Sequence, residues 1–358
     1  MTGVEPVNVA EYEEAARARL DPGAYAYFAG GAGDEQTLQA NRAAYAGWEL
    51  RPRVLVDVSE VSTATTVLGT EVSMPLLVAP TAFQRLADPE GECATARAAA
   101  SAGTLMCVST LASVTPAELA AAAPGAPQWF QLYWSPDRGF TGELVSAVVE
   151  AGFRALVLTV DLPVAGRRER DIREAFALPD DLPTPNLPAS LRRVDFHTAL
   201  QESVDASLTW DDLEWLRSRC PLPLVIKGVQ TAEDALLAAE NGADGVVVSN
   251  HGGRQLDGVP ASLELLPEVV EMVGDRVEVL MDGGIRRGID VLKALALGAR
   301  AVLAGRAVIW GLAAGGEAGA ARVLELLRVE IELGLKLLGA QSPAAVTRAH
   351  VRRAGPSV

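Results

Sequence analysis

The sequence predicts a (β/α)8 TIM barrel, an α/β fold of eight parallel strands, each followed by a helix. Eight short apolar runs are spaced along residues 75–305, and alanine-rich segments with helical periodicity lie between most of them. Continuous apolar strands that alternate with helices are typical of a parallel sheet covered on both faces. Eight such units favour a closed barrel over an open, doubly wound sheet.

Each predicted strand is a short run rich in valine, leucine, isoleucine or aromatic residues. These runs are 75–82, 105–110, 129–134, 155–161, 223–228, 245–250, 277–283 and 301–305. The helical patterns include 89–103, 141–152, 232–242 and 288–298. Several of these patterns end in Ala-Gly or a similar pair, which is the expected end of a helix.

Two regions lie outside the regular alternation. Residues 1–74 are expected to form two short helices, near 9–20 and 22–30, and a β-hairpin over 48–72 that closes the bottom of the barrel. Residues 162–222 form a long, proline-containing excursion between the fourth strand and its helix, and long loops in compact domains are usually lids or disordered. We expect one domain over 1–358, and the sequence leaves open whether 179–200 are ordered.

Composition excludes several classes of function. The chain of 358 residues is 49% hydrophobic and has a formal net charge of −15, which argues against nucleic-acid binding and against an anionic membrane surface. Cys93, Cys107 and Cys220 are widely spaced, so neither a metal site nor a disulfide framework is indicated. Without a signal-peptide pattern or a long apolar span, a cytoplasmic location is expected.

Polar side chains occupy the last inward positions of five predicted strands. Alternate strand residues point into a barrel, and active sites form at the carboxyl ends of its strands. For any single residue a structural explanation is equally good, but burying so many unpartnered polar groups would be costly. The set therefore predicts one polar cup, built from Gln131, Tyr133, Thr159, Asp161, Lys227, Ser249, His251 and Asp282.

The cup holds groups suited to acid–base chemistry on an anion. His251 is the only histidine in it, and histidine is the most common base near neutral pH. Asp161 can orient the ring and stabilise its protonated form. Arg254 and Arg168 can bind a carboxylate through paired hydrogen bonds, although Arg168 lies in a charged run that would also suit a surface.

Two glycine-containing loops follow the seventh and eighth strands. They are MDGGIRRG (281–288) and LAGRAV (303–308), with Arg286 and Arg306 as added positive charge. These two loops are the usual phosphate cradle of such barrels. Glycine also makes tight turns, so each loop alone is weak evidence, but together they indicate a phosphorylated ligand. No dinucleotide-binding or Walker pattern is present.

The motifs together resemble a known family. SNHGGRQLDG, APTAFQRLADPEGE, FQLYW, TVDLPVAGRRERDIR, IKGVQTAEDA and DGGIRRGIDVLKALALGA are similar to those of FMN-dependent 2-hydroxy acid oxidases and dehydrogenases, and the similarity runs through nearly the whole chain. Glycolate oxidase, lactate oxidase and mandelate dehydrogenase belong to that family. The resemblance implies an oxidoreductase flavoprotein that oxidises an (S)-2-hydroxy acid to a 2-oxo acid, with O2 reduced to H2O2.

The resemblance also implies roles for residues at matching positions. Catalytic residues would be His251 as base, Asp161, Lys227 near the flavin N1 and O2 atoms, and Tyr133. Substrate-binding residues would be Tyr27, Arg168, Arg254, Tyr133 and Leu111. FMN contacts would be Pro80, Thr81, Ala82, Ser109, Gln131, Thr159, Lys227 and Ser249 at the ring, and Asp282, Gly284, Arg286, Gly305 and Arg306 at the ribityl and phosphate groups. No metal is expected, and a homotetramer or octamer is implied.

The substrate pocket departs from that of plant glycolate oxidases. Leu111 stands where those enzymes carry tryptophan, which leaves a roomier, more apolar pocket. Leu111, Trp134 and Phe83 resemble actinobacterial 4-hydroxymandelate oxidases, whereas Tyr27 keeps the phenol common across the family. We therefore expect lactate, a longer aliphatic acid or a mandelate-like acid rather than glycolate.

Three alternatives remain open from the sequence. The first is a dehydrogenase of the same family that passes electrons to a quinone or protein. The second is a Schiff-base aldolase with Lys227 as nucleophile and a phosphosugar at the glycine loops. The third is a flavin-binding protein without catalysis. Residue identities do not decide whether His251 would take the C2 hydrogen or the hydroxyl proton.

Overall fold

A computed structural model describes residues 5–192 and 196–355, and in this range it confirms the predicted barrel. Eight parallel strands close on themselves, and each lies beside the strands that precede and follow it in the chain. All but the fifth barrel strand are shorter than the predicted runs, because the ends of those runs belong to the connecting loops. The strands are β1 Trp48–Leu50, β2 Thr65–Val67, β3 Thr70–Val72, and the barrel strands β4 Leu76–Val78, β5 Met106–Ser109, β6 Gln128–Leu132, β7 Ala155–Thr159, β8 Leu224–Val229, β9 Gly245–Val248, β10 Glu278–Asp282 and β11 Ala301–Ala304, followed by β12 Val351–Arg353.

Helices cover the outside of the barrel, and the four predicted helical patterns all lie in helices. The helices are α1 Val9–Arg17, α2 Pro22–Ala29, α3 Gln36–Ala43, α4 Gly91–Ser101, α5 Pro116–Ala122, α6 Arg138–Glu150, α7 Glu169–Arg173, α8 Phe196–Glu202, α9 Leu213–Arg219, α10 Ala232–Glu240, α11 Ser262–Val273, α12 Gly288–Ala296 and α13 Arg306–Leu338. Among the described residues, none of these helices is long and apolar enough to cross a membrane.

The barrel interior confirms the predicted alternation of side chains. Leu77, Cys107, Trp129, Val157 and Val225 form one buried cluster with further alternate strand residues, distinct from the cluster that joins the strands to the helices. Successive inward positions toward the carboxyl ends of the strands must then hold the polar residues of the cup. A fully packed interior below a polar upper layer leaves the top of the barrel as the place for chemistry.

The hairpin at the bottom of the barrel is shorter than predicted. Only β2 and β3, at 65–72, pair with each other, and Val67 and Val72 pack into the barrel interior. The prediction of one hairpin over 48–72 was wrong, because β1 pairs antiparallel with β12 instead. The backbone N–H groups of Arg51 and Arg53 donate to residues near the C-terminus, at 2.7 and 3.0 Å, so they are unavailable to a hairpin partner.

The N-terminal segment has three helices rather than two. The predicted helices near 9–20 and 22–30 correspond to α1 and α2, and α1 ends at Arg17. Helix α3 was not predicted, because its polar sequence QTLQANRA has no strong apolar stripe. It matters for the site, since Asn41 and Arg42 on α3 face the cavity described below.

The excursion over 162–222 contains helices α7, α8 and α9 and lies against the body of the barrel. In its proline-rich part, Leu187 and Asn186 are buried, and the Asn186 side chain donates to the carbonyl of Val114 at 2.9 Å. Residues 193–195, within the predicted lid, are outside the described residues. The excursion therefore covers one side of the cup, while the assignment of 1–358 to a single domain stays a prediction.

Candidate active site

A cavity opens at the carboxyl ends of the barrel strands. All eight barrel strands contribute to its wall, either directly or through the loop that follows, together with α1, α2, α3 and α8. The structure thereby brings together nearly all the residues that the sequence predicts for a site. Predicted residues on its wall are Tyr27, Pro80, Thr81, Ala82, Ser109, Leu111, Gln131, Tyr133, Thr159, Arg168, Lys227, His251, Arg254, Asp282, Gly284, Arg286, Gly305 and Arg306.

His251 stands just after β9 in a left-handed conformation, with φ of 58°. Its backbone N–H donates to the Ser249 hydroxyl at 3.0 Å, which fixes the turn. Its ring Nδ1 lies 2.9 Å from Oδ1 of Asp161, and its Nε2 lies 3.4 Å from the Tyr133 hydroxyl. With Nδ1 bonded to a carboxylate, Nε2 is the ring atom left to take a proton from a ligand.

Burial keeps the His251 imidazole neutral, and neighbouring charges keep Asp161 ionised. Burial, the largest influence, lowers the pKa of His251 below its ordinary value of 6.5, while Asp161 opposes this and Lys227 adds to it. Burial acts to raise the pKa of Asp161, yet His251 and Lys227 outweigh it, so that pKa is lowered. An unprotonated imidazole backed by a carboxylate is the state that a general base needs.

Lys227, on β8, is a charged group fixed at the cavity floor. Its Nζ donates to the Ser249 hydroxyl at 3.1 Å and lies 3.3 Å from Oδ2 of Asp282. Burial acts to lower the pKa of Lys227, but Asp282 and Asp161 outweigh it and raise that pKa above its ordinary value. The amine is therefore protonated at neutral pH and cannot serve as a nucleophile without losing this pairing.

Ser249 and Asp161 lie behind the cavity wall rather than on it. The Ser249 side chain, predicted as a flavin-ring contact, is fully buried, and its hydroxyl donates to Asp282 at 2.7 Å while accepting from Lys227 and from the His251 backbone. These bonds place Lys227 and His251, and the contact of Ser249 with the flavin ring stays a prediction.

Two guanidinium groups face the cavity near His251. Arg168 is only 6% exposed, and its Nε has no hydrogen-bond partner among the described residues. The Arg254 guanidinium lies 4.8 Å from the centre of the Tyr27 ring and donates to the Tyr27 and Gly30 carbonyls at 2.5 and 3.0 Å. Burial, and then the nearby Arg254 charge, lower the pKa of Arg168 to about 10. Within the described ranges neither arginine forms an ion pair with a carboxylate. A buried cation beside a half-buried one, neither neutralised by a carboxylate, creates a binding site for an anion.

The opposite wall carries an unused hydrogen-bond donor. Oε1 of Gln131 accepts from the Ser109 hydroxyl at 3.2 Å and from the Thr110 backbone at 3.3 Å, which fixes the amide. The Nε2 group of Gln131 is buried and has no partner among the described residues. A buried donor without an acceptor is costly, so this wall fits a ligand with ring acceptors, such as the flavin of the FMN that the resemblance implies.

The far end of the cavity fits a phosphate. Helix α13 begins there, its N-cap Gly305 provides no side-chain cap, and the first N–H groups of a helix attract anions. Arg286 and Arg42 also line this end, and both pair with Glu13 of α1, at 2.5 and 3.5 Å. Arg42 was missed by the sequence analysis, because it lies on α3 and not at the end of a strand.

Arg306 and Gly284 both line the cavity and each also has a structural role, so their predicted contact with the ribityl and phosphate groups stays a prediction. The Arg306 guanidinium donates to the carbonyls of Phe28, Gly30 and Gly252 at 2.8, 2.7 and 3.0 Å, so it holds α2 against the loop after β9. Gly284 has φ of +79°, and a Cβ there would lie 2.1 Å from the Asn41 carbonyl oxygen. Packing against α3 is therefore sufficient reason for this glycine.

The wall beside Leu111 is apolar and includes residues that the sequence analysis missed. Leu162, after β7, and Leu200, on α8, line the cavity with Leu111. Nothing in the pattern of the excursion marked Leu200 as part of the site. Trp134, in contrast, points away from the cavity and packs on Trp215 at 5.1 Å, so its likeness to the hydroxymandelate enzymes says nothing about this pocket.

The chain is similar to several known proteins along nearly its whole length. The L-lactate oxidase of Nostoc sp. is 51% identical over 351 residues, which are 95% of this chain and 96% of that protein. The glycolate oxidase of Spinacia oleracea is 46% identical over 355 residues, 97% of this chain and 96% of that protein. A crystal structure of mandelate oxidase, at 43% identity, superposes with a TM-score of 0.92 and covers 99% of this chain and 100% of its own. The family model described as FMN-dependent dehydrogenase matches residues 16–353, and the chain belongs to that family of FMN-dependent enzymes.

Proposed function

We propose that the protein oxidises an (S)-2-hydroxy acid to the 2-oxo acid and that O2 is reduced to H2O2. One observation carries this proposal. The unprotonated Nε2 of His251 faces the same cavity as Arg168 and Arg254, two guanidinium groups that have no carboxylate partner in the described part of the chain. A base beside an unneutralised cationic pair suits a substrate that carries both a proton to lose and a carboxylate.

Each residue then has a defined task. Arg168 and Arg254 bind the substrate carboxylate through paired hydrogen bonds, and the Tyr133 and Tyr27 phenols line the same region. His251 takes one proton at Nε2, and Asp161 stabilises the imidazolium that forms. When bound, FMN supplies the acceptor for two electrons and the second hydrogen. Lys227 would hold a fixed positive charge at the floor of the cavity, beside the bound FMN.

The activity is expected to fall at acid pH with a midpoint below 6.5. His251 must be neutral to accept a proton. The value of kcat/KM is therefore highest above the pKa of His251 and falls as the pH is lowered through that pKa. Burial lowers the pKa of His251 from 6.5, which places the acid limb of kcat/KM below that pH. Oxygen uptake between pH 4 and 9 at low substrate concentration measures the limb, and a midpoint clearly above 6.5 would contradict the assignment.

A larger substrate than glycolate is expected. Leu111, Leu162 and Leu200 form an apolar wall near the catalytic groups, and the mandelate oxidase relative has been solved with benzoylformic acid. One added carbon in an apolar pocket is worth about tenfold in kcat/KM. We expect kcat/KM for L-lactate or (S)-mandelate to exceed that for glycolate by at least this factor, measured as H2O2 formed. A panel in which glycolate is the best substrate would contradict this expectation.

Assays with the same substrate panel also separate the oxidase from the dehydrogenase, the aldolase and the non-catalytic flavoprotein. Rapid oxygen uptake without an added acceptor supports an oxidase, whereas turnover that requires a quinone dye supports a dehydrogenase. An aldolase requires a neutral Lys227, but Asp282 and Asp161 raise the pKa of Lys227 despite its burial. Borohydride with a sugar phosphate is therefore expected to trap nothing on Lys227. A catalytically silent flavoprotein would show neither oxygen uptake nor dye reduction.

We also propose that the chain forms a homo-oligomer, a tetramer or octamer, in the cytoplasm. Val54 and Leu55 are 83% and 103% exposed at the bottom of the barrel, and Leu55 is held in a left-handed conformation with nothing packed on it. Such apolar exposure is typical of a surface that another copy covers. The three cysteines are unpaired, as expected in a reducing compartment. Light scattering of the purified protein tests the assembly.

A further inference from the structure

Two loops carry most of the residues assigned to acid–base chemistry and to carboxylate binding. The loop over 161–168 begins with Asp161 and ends with Arg168, and the loop over 251–258 contains His251 and Arg254. The geometry of the reaction therefore depends on how these two loops sit relative to each other. His251 and Asp161 meet across them, but this contact joins only the first residues of each loop.

A single buried side chain ties the rest of the loops together. The Gln255 amide nitrogen donates to the carbonyls of Asp161 and Val164, both at 2.9 Å. Its amide oxygen accepts from the backbone N–H of Gly166 at 3.1 Å. Gln255 is only 9% exposed, and both N–H groups and the oxygen of its amide bond to one neighbouring loop. A buried amide whose donors and acceptor are all hydrogen-bonded is held in a single orientation.

The two backbones also touch at Gly166. A Cβ on Gly166 would lie 2.3 Å from the Arg254 carbonyl oxygen and 2.8 Å from the Gln255 Cα. Contacts below 3.0 Å with backbone atoms cannot be relieved by a side-chain rotation, so any larger residue would push the loops apart. The absence of a side chain at Gly166 and the amide of Gln255 therefore enforce the same short separation.

We propose that Gln255 is a positioning residue that sets the placement of Asp161 and Arg168 against His251 and Arg254. Gln255 does not line the cavity and touches no substrate, so it acts only through these groups. This inference rests on the proposed function, because it assumes that the four residues act on one substrate.

Loss of the Gln255 hydrogen bonds is expected to impair substrate binding and turnover rather than FMN binding. Arg168 lies two residues beyond Gly166, so loss of the three hydrogen bonds lets its guanidinium shift relative to Arg254. A misplacement of about 1 Å lowers rates by about 100-fold. The floor and far end of the cavity, with Lys227, Gln131 and Gly305, are built on other elements. FMN binding should therefore be kept.

The test compares Gln255→Met, Gly166→Ala and the control Gln341→Met with the wild type. Methionine keeps the length of the side chain but loses all three hydrogen bonds. Gln341 is exposed and donates only to the Asp57 carbonyl, far from the cavity. FMN content, thermal midpoint, kcat and KM are measured with the better of L-lactate and (S)-mandelate. The dissociation constant of the matching 2-oxo acid, pyruvate or benzoylformate, is measured by the change in the flavin spectrum.

The proposal predicts that Gln255→Met and Gly166→Ala both keep full FMN content. Their kcat/KM should be lower by about 100-fold with a raised KM, and they should bind the 2-oxo acid more weakly. The control Gln341→Met should behave as the wild type. Kinetic constants within twofold of wild type would overturn it. Loss of FMN in proportion to activity in both variants would also overturn it, since Gln255 would then support the cofactor site. A wild type that oxidises no 2-hydroxy acid contradicts the proposed function instead.

Discussion

Replacing His251 by asparagine is expected to lower kcat by about 1,000-fold while FMN stays bound, because removal of a general base typically costs about 100- to 10,000-fold. Asparagine is the suitable replacement, since His251 has φ of 58° and asparagine tolerates this left-handed conformation better than most residues. Its amide cannot take a proton, so the chemical step loses its base. Stopped-flow anaerobic reduction of the bound flavin measures this step directly.

The control for this variant is His350→Asn. His350 is buried near the C-terminus, where its Nδ1 accepts from the Thr347 backbone at 3.0 Å, and it does not line the cavity. This variant is expected to keep the wild-type rate of flavin reduction. If His251→Asn reduced its flavin within tenfold of the wild-type rate, the base would have to be another residue.

Replacing Arg168 by methionine is expected to lower kcat/KM by about 30-fold or more. Truncating one partner of a buried, hydrogen-bonded ion pair costs about 2–5 kcal/mol, and about 1.4 kcal/mol corresponds to a factor of ten. Arg168 is 6% exposed and has no carboxylate partner within the described residues, so its charge is available to the substrate. Most of the loss should appear in KM, because the carboxylate is bound before and during the reaction.

A second substrate sharpens the test of Arg168. The 2-hydroxy amide that matches the best acid has no negative charge, so its turnover should differ much less between the wild type and Arg168→Met. Arg173→Met is the matched control, since Arg173 lies on α7, which begins just after Arg168, but is exposed and pairs with Glu169. An equal loss for acid and amide would show that Arg168 supports the fold rather than binding the carboxylate.

The inward strand residues were predictable because a barrel strand has a strict period of two. Once Trp129 and Val157 are assigned to the interior, Gln131 and Thr159 must follow them at the top, and the structure places them there. The same period leads to Lys227 and, just beyond β9, to His251. These positions depend on local geometry alone, so the sequence was sufficient for them.

The residues that escaped prediction depend on long-range packing. Arg42 reaches the cavity from α3, and Leu200 reaches it from α8. Neither helix directly follows a barrel strand, so the sequence does not indicate which way its side chains face. The Arg306 guanidinium also donates to three backbone carbonyls of α2 and of the loop after β9, and no local pattern encodes these contacts. The β1–β12 pairing joins segments about 300 residues apart. No nearby residue therefore indicated that the hairpin predicted for 48–72 was wrong.

The central claim is that one cup holds FMN and oxidises a 2-hydroxy acid with it. The most direct test is an anaerobic visible spectrum of the purified protein before and after addition of L-lactate, (S)-mandelate and glycolate in turn. The account predicts bound FMN, bleached by at least one of the two larger acids, with the yellow colour and H2O2 returning in air. A protein that binds no FMN, or a bound flavin that none of the acids bleaches, would contradict it.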